Sequence, residues 1–120
     1  MITVCVVDDD FSVRKSLSNL LKSAGYRAVS FASGEEFLSS TAVDESACVL
    51  LDLKMIGMQG LEVQHRLHEA GKSLGVICMS AHDDDDSVQR ALAAGAVRFL
   101  RKPFSEDVLL ASIMAVLDRR

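Results

Sequence analysis

The sequence predicts an α/β domain in which five strand–helix units build one parallel sheet, and three observations carry that reading. Short runs rich in Val, Ile, Leu and Phe alternate with amphipathic stretches from end to end of the chain. Gly25, Gly71 and Gly95 each stand where a helix must stop before the next strand. The length of 120 residues suits one domain of that size and leaves no room for a second.

The elements follow in order. Residues 3–7 form the first strand, and Val13, Leu17, Leu20, Leu21 and Ala24 then recur at helical spacing. Residues 28–31 are the second strand, and Ser33 with Glu36 reads as a capping box opening the second helix. Residues 47–51 are the third strand, with Val63, Leu67 and Ala70 on one face of the helix after it. Residues 75–79 are the fourth strand, and Val88, Ala91 and Leu92 mark the fourth helix. Residues 97–100 close the sheet; Ser105, Glu106 and Asp107 then start a helix carrying Leu109, Ile113, Val116 and Leu117, with acids at its positive end.

Composition bounds the function. The chain is 49% hydrophobic and 25% charged with a single Pro, which excludes disordered and low-complexity classes. A net charge of −4 argues against non-specific nucleic-acid binding by the domain itself. No apolar run approaches a membrane span and the N-terminus lacks a basic leader, so neither a membrane segment nor a signal peptide is expected. Cys5, Cys48 and Cys78 lie inside apolar runs and fit reduced core thiols in a cytoplasmic protein.

Strand order follows from burial. Residues 4–7, 48–51 and 76–79 in the first, third and fourth strands are unbroken apolar runs, as interior strands covered on both faces require. The second carries Ser30 and the fifth Arg98, which places them at the edges. This selects the flavodoxin-like three-layer sandwich of order 2-1-3-4-5, whose ligand site lies at the carboxyl ends of strands 1 and 3.

Those ends carry chemistry. Asp8, Asp9 and Asp10 follow strand 1, Asp52 follows strand 3, Ser80 follows strand 4, and Lys102 with Pro103 follows strand 5. Asp10 reads as a helix cap. The remaining carboxylates converge and repel, and a hard cation such as Mg²⁺ (or Mn²⁺) relieves them while leaving room for phosphate oxygens. Ser80 and Lys102 suit the other oxygens of a phosphoryl group. Asp52, single and central, is the candidate nucleophile for an aspartyl phosphate, while the adjacent Asp8 and Asp9 suit metal.

The segments VCVVDDD, LLDLKMIGMQGLE, VICMSAH and AGAVRFLRKPF carry a resemblance to response-regulator receiver domains across essentially the whole chain. With FASGEEFL after strand 2, the phrasing is most similar to the FixJ-like receivers. The resemblance implies that Asp52 accepts phosphate from a sensor histidine kinase, and that Asp8, Asp9, Asp52 and the Lys54 main-chain carbonyl hold Mg²⁺. It makes Ser80 and Lys102 the phosphoryl partners, Phe99 the aromatic switch, Gly60 the glycine after the strand 3 loop, and the bond before Pro103 cis. It implies no enzyme beyond self-phosphorylation from small donors and self-dephosphorylation. Its output is expected through the face of the fourth helix, fifth strand and fifth helix, by phosphorylation-dependent homodimerisation or by a C-terminal DNA-binding domain beginning past Asp118, Arg119 and Arg120. A free-standing receiver acting by protein contact is the alternative.

One residue departs from the family pattern. Ile56 stands where a proline is usual, which frees φ and restores an N–H donor in the loop after Asp52. Lys54 and His82, each two residues past a site residue, are expected to lean over the opening and tune the lifetime of the phosphorylated state. Residues 83–86, all Asp, read as the start of the fourth helix, and His65 with His68 as surface histidines without a third ligand. Two rivals fare poorly. A haloacid-dehalogenase-type phosphatase needs a second Asp where Lys54 stands, and a flavodoxin needs a Ser/Thr/Gly-rich loop where three acids stand.

Overall fold

The computed structural model describes residues 1–81 and 85–119. Five parallel strands, β1 (Thr3–Val7), β2 (Arg27–Phe31), β3 (Cys48–Asp52), β4 (Gly75–Ser80) and β5 (Arg98–Arg101), form one sheet of order β2-β1-β3-β4-β5. The expected order holds, and so do its edges. Strands β1 and β3 are buried at every residue, whereas β2 and β5 each have exposed positions.

The unbroken apolar runs serve two cores at once, because successive strand residues point to opposite faces. Val4, Val6, Cys48, Leu50, Ile77 and Met79 pack with Leu17, Leu21, Leu109 and Ile113 from α1 (Phe11–Ser23) and α6 (Glu106–Asp118). On the other face Cys5, Val7, Val49, Leu51 and Cys78 pack with Phe37, Val63, Leu67 and Ala91. These last belong to α2 (Gly34–Leu38), α4 (Gly60–Glu69) and α5 (Asp85–Ala93). Burial pushes the Cys48 and Cys78 thiols up to about 12, which leaves them inert core residues, as their runs imply.

The caps follow the sequence. Asp10 accepts from Ser12 and Val13 N–H, Ser33 from Glu36 N–H, and Ser105 from Val108 N–H. Gly25, Gly71 and Gly95 take φ of 93°, 69° and 106° after the helices they end. Helix α5 opens at Asp85, inside the acidic run; Asp83 and Asp84 lie outside the described residues. His65 and His68 are exposed on α4.

Several strand boundaries differ from expectation by one residue. Strands β3, β4 and β5 each end one residue later, where Asp52 pairs in register with Met79 and Ser80 with Arg101; β3 and β5 also start one residue later, and β2 one earlier. Asp52 and Ser80 therefore end strands instead of following them, while Asp8 and Lys102 follow β1 and β5 as expected. A one-turn helix, α3 (Ala42–Glu45), also joins the five expected helices. It buries Ala42 and Val43 and starts where Ser40 Oγ accepts from Ala42 N–H at 3.0 Å. A single turn is too short to show periodicity. The expected fourth and fifth helices are thus α5 and α6. No helix among the described residues is long and apolar enough to cross a membrane.

Candidate functional site

The site lies on the carboxyl edge of the sheet, where β1 and β3 are hydrogen-bonded neighbours. Asp8 continues β1 and is fully buried. Its Oδ1 accepts from Asp10 N–H at 2.9 Å and its Oδ2 from Lys102 Nζ at 2.8 Å, while its carbonyl accepts from the Arg14 guanidinium at 2.7 Å. Asp9, next along the chain, is exposed, and its Oδ2 accepts from Ile56 N–H at 3.0 Å. Asp52 ends β3 with only 5% of its surface exposed, and its Oδ1 accepts from Lys54 N–H at 3.2 Å.

Carboxylate oxygens of Asp8, Asp9 and Asp52 all lie within 4.8 Å of one another. Burial pushes the Asp52 carboxyl up to about 6, and the charges of Asp8 and, more weakly, Asp9 add to the rise; Lys102 and the Lys54 N–H oppose it. Burial alone would lower the Lys102 pKa. The hydrogen bond to Asp8 and the charges of Asp52 and Asp8 outweigh it and hold the ammonium above its ordinary value. Among the described residues the site thus sets three carboxylates against the Lys102 ammonium, with 3.7 Å from Lys102 Nζ to Asp52 Oδ2. Three oxygens in that spacing, one per side chain, fit a hard cation, whose neighbouring ligands stand roughly 3–4 Å apart.

Ser80 ends β4 and is 1% exposed. Its carbonyl accepts from Lys102 N–H at 2.9 Å, which ties the end of β4 to the lysine. The bond between Lys102 and Pro103 is cis. Phe99 on β5 is half-buried and packs against the core layer that contains Ala91 of α5. The Lys54 side chain is exposed at the start of the loop after β3; His82 lies outside the described residues.

Close packing explains Gly60. A Cβ there would stand 2.5 Å from the Asp52 carbonyl oxygen and 2.8 Å from Leu53 Cα, both backbone atoms. Only glycine lets α4 start directly behind the strand that carries Asp52. Gln59 braces the same loop, since its amide donates to the Met55 carbonyl at 2.7 Å and accepts from Met55 N–H at 3.3 Å.

The structure therefore brings Asp8, Asp9, Asp52 and Lys102 together as the sequence implies, with Ser80 one residue beyond the partner of Asp52 on the adjacent strand. Reading the sequence did not find Arg14 or Gln59. Each acts on a main-chain carbonyl, and no residue pattern announces such contacts.

Comparison with known proteins places this geometry. Residues 4–114 match the family model of the response regulator receiver domain. Nodulation protein W of Bradyrhizobium diazoefficiens is 40% identical over 116 residues, 97% of this chain and 51% of that protein. The transcriptional regulatory protein FixJ of Azorhizobium caulinodans is 36% identical over 116 residues, 97% of this chain and 55% of its own length. The chain thus spans about half the length of these relatives. Among solved structures, a response regulator receiver protein from Burkholderia phymatum superposes with a TM-score of 0.85 at 45% identity, covering 98% of this chain and 96% of the other. The match over nearly the whole chain and the acidic site at the sheet edge agree: this chain belongs to the response regulator receiver domain family of two-component systems.

Proposed function

We propose that this receiver accepts a phosphoryl group on Asp52 from a histidine kinase's phosphohistidine. The observation that carries the reading is the Asp52 carboxylate, buried among Asp8, Asp9 and Lys102. An Asp52 oxygen attacks phosphorus, the new O–P bond forms as the N–P bond breaks, and the electron pair leaves with the imidazole. Asp8, Asp9, Asp52 and the Lys54 main-chain carbonyl would hold Mg²⁺ (or Mn²⁺), which supplies charge neutralisation between the carboxylates and the incoming phosphoryl oxygens. Lys102 stays charged throughout, as its raised pKa requires, and pairs with a phosphoryl oxygen. Ser80 donates its hydroxyl to another. Beyond taking phosphate from small donors and losing it to water, the domain catalyses nothing.

The readout follows from the layers. Ser80 shares its strand parity with Cys78, whose side chain lies in the core layer that Phe99 also joins. A new dianion that draws Ser80 towards it removes volume from the layer beneath α5, and Phe99 packs inward to fill it. This repacks the face made by α5, β5 and α6, elements that bear the exposed Leu92 and Val108. The output is homodimerisation through that face, or control of a DNA-binding domain beyond the C-terminal end, as the transcriptional relatives suggest. A free-standing receiver acting by protein contact is the alternative. An open groove lined by Val13, Leu17, Ala81, Pro103 and Phe104 runs to Lys102 and suits a partner helix presenting its histidine.

The test is incubation with acetyl phosphate, read by intact mass. A gain of one phosphoryl group with Mg²⁺, lost in EDTA, supports the reading. No gain, or gain independent of a divalent cation, overturns it.

A further inference from the structure

The contact between Ile56 and Asp9 is not accounted for by the roles above. Ile56 N–H donates to Asp9 Oδ2 at 3.0 Å across 47 positions of sequence. Ile56 is 86% exposed, so what this position contributes to the fold is its amide. The loop holds that amide in place from both sides. Met55 is buried with its N–H and carbonyl both bound by the Gln59 side chain, and Gly57 takes a φ of +83°, which L side chains rarely adopt. Asp8 is fixed by Asp10 N–H and Lys102, whereas Asp9 sits exposed at the mouth. An exposed carboxylate samples several rotamers, and ordering it costs binding energy when a cation arrives. One N–H leaves most of a carboxylate's lone-pair sites open to a metal.

We propose that Ile56 is a positioning residue whose backbone amide holds Asp9 in the orientation that takes up the divalent cation. Proline, usual in the family here, cannot make this contact, so this chain orients Asp9, the exposed member of its acidic pair, by a hydrogen bond from the loop. The inference rests on the reading of Asp8 and Asp9 as the cation site. Partners that orient a ligand are typically worth about 10–100-fold in metal affinity.

Calorimetric titration with Mg²⁺ alone, on the wild-type chain, Ile56→Ala and Ile56→Pro, tests it. Ile56→Ala keeps the amide and loses only the exposed side chain; Ile56→Pro loses the donor. Wild-type affinity in Ile56→Ala with a loss of about tenfold in Ile56→Pro is expected. Equal affinity in wild type and Ile56→Pro, tighter binding by Ile56→Pro, or an equal loss in both variants overturns the proposal. Amide exchange of the metal-free wild type gives a second reading that does not depend on either variant folding. The Ile56 N–H is expected to exchange more slowly than an unprotected loop amide, and exchange at the free rate overturns the contact. No Mg²⁺ binding by the wild type would overturn the cation site itself, and this role with it.

Discussion

Lys102 Nζ stands 2.8 Å from Asp8 Oδ2 and 3.7 Å from Asp52 Oδ2, so one ammonium spans carboxylates from two adjacent strands. It neutralises only part of the acidic charge, and Asp52 keeps a carboxyl pKa of about 6 despite it. The site is held under electrostatic tension that a cation or a proton relieves.

That tension sets a pH dependence. The Asp52 pKa is about 6 in the folded chain against an ordinary 3.8, so folding disfavours its charged form. The resulting penalty is fully present above about pH 6 and vanishes as pH falls towards the ordinary value, because the folded chain binds the proton first. Without metal, Asp52→Asn is therefore more stable than wild type at pH 7, by up to about 3 kcal/mol, and the gap closes towards pH 4. Urea unfolding in EDTA across that range checks it, and a gap that widens on acidification contradicts it.

Removing the ammonium has the opposite sign. Lys102→Met leaves the buried Asp8 carboxylate without its closest cation, and a loss of about 2 kcal/mol is expected at pH 7 in EDTA. Mg²⁺ recovers part of the loss by taking over the neutralisation. Unchanged stability in Lys102→Met would show that the pair contributes nothing.

Gly60→Ala tests the packing behind the site. Its Cβ meets backbone of Asp52, which ends β3, and of Leu53, which follows it, so α4 must shift. A destabilisation of about 2–3 kcal/mol is expected, with weaker Mg²⁺ binding because Asp52 moves with its strand. Thermal unfolding and Mg²⁺ titration of the variant read both effects.

The exposed Lys54 side chain begins two residues past Asp52, at the mouth of the site. It is expected to obstruct the water that attacks the phosphoryl group in line. Lys54→Ala then shortens the lifetime of the phosphorylated chain by a few-fold, on the order of 1 kcal/mol in the barrier. A lifetime unchanged or lengthened in the variant removes the shielding role.

The sheet order was legible because burial on both faces leaves its mark in composition: residues 4–7 of β1 and 48–51 of β3 are unbroken apolar runs, while Ser30 and Arg98 mark the edges. The gathering of Asp8, Asp52 and Lys102 follows from that order, since each stands at or just past the carboxyl end of a neighbouring or near-neighbouring strand. What stayed hidden depends on backbone geometry. Helix α3 is one turn, and Arg14 and Gln59 act on carbonyl oxygens whose directions only folding decides. Position 56 lies between the two. The missing proline showed that an N–H was available, and only the folded chain shows Asp9 receiving it.

The most direct measurement locates the phosphoryl group. After incubation with Mg²⁺ and acetyl phosphate, borohydride reduces an acyl phosphate on aspartate to homoserine, and peptide mass mapping finds the converted residue. Homoserine at position 52 alone, absent from Asp52→Asn, is the result this account predicts. Conversion at another carboxylate, or a wild-type chain that stays unmodified while binding Mg²⁺, would contradict it.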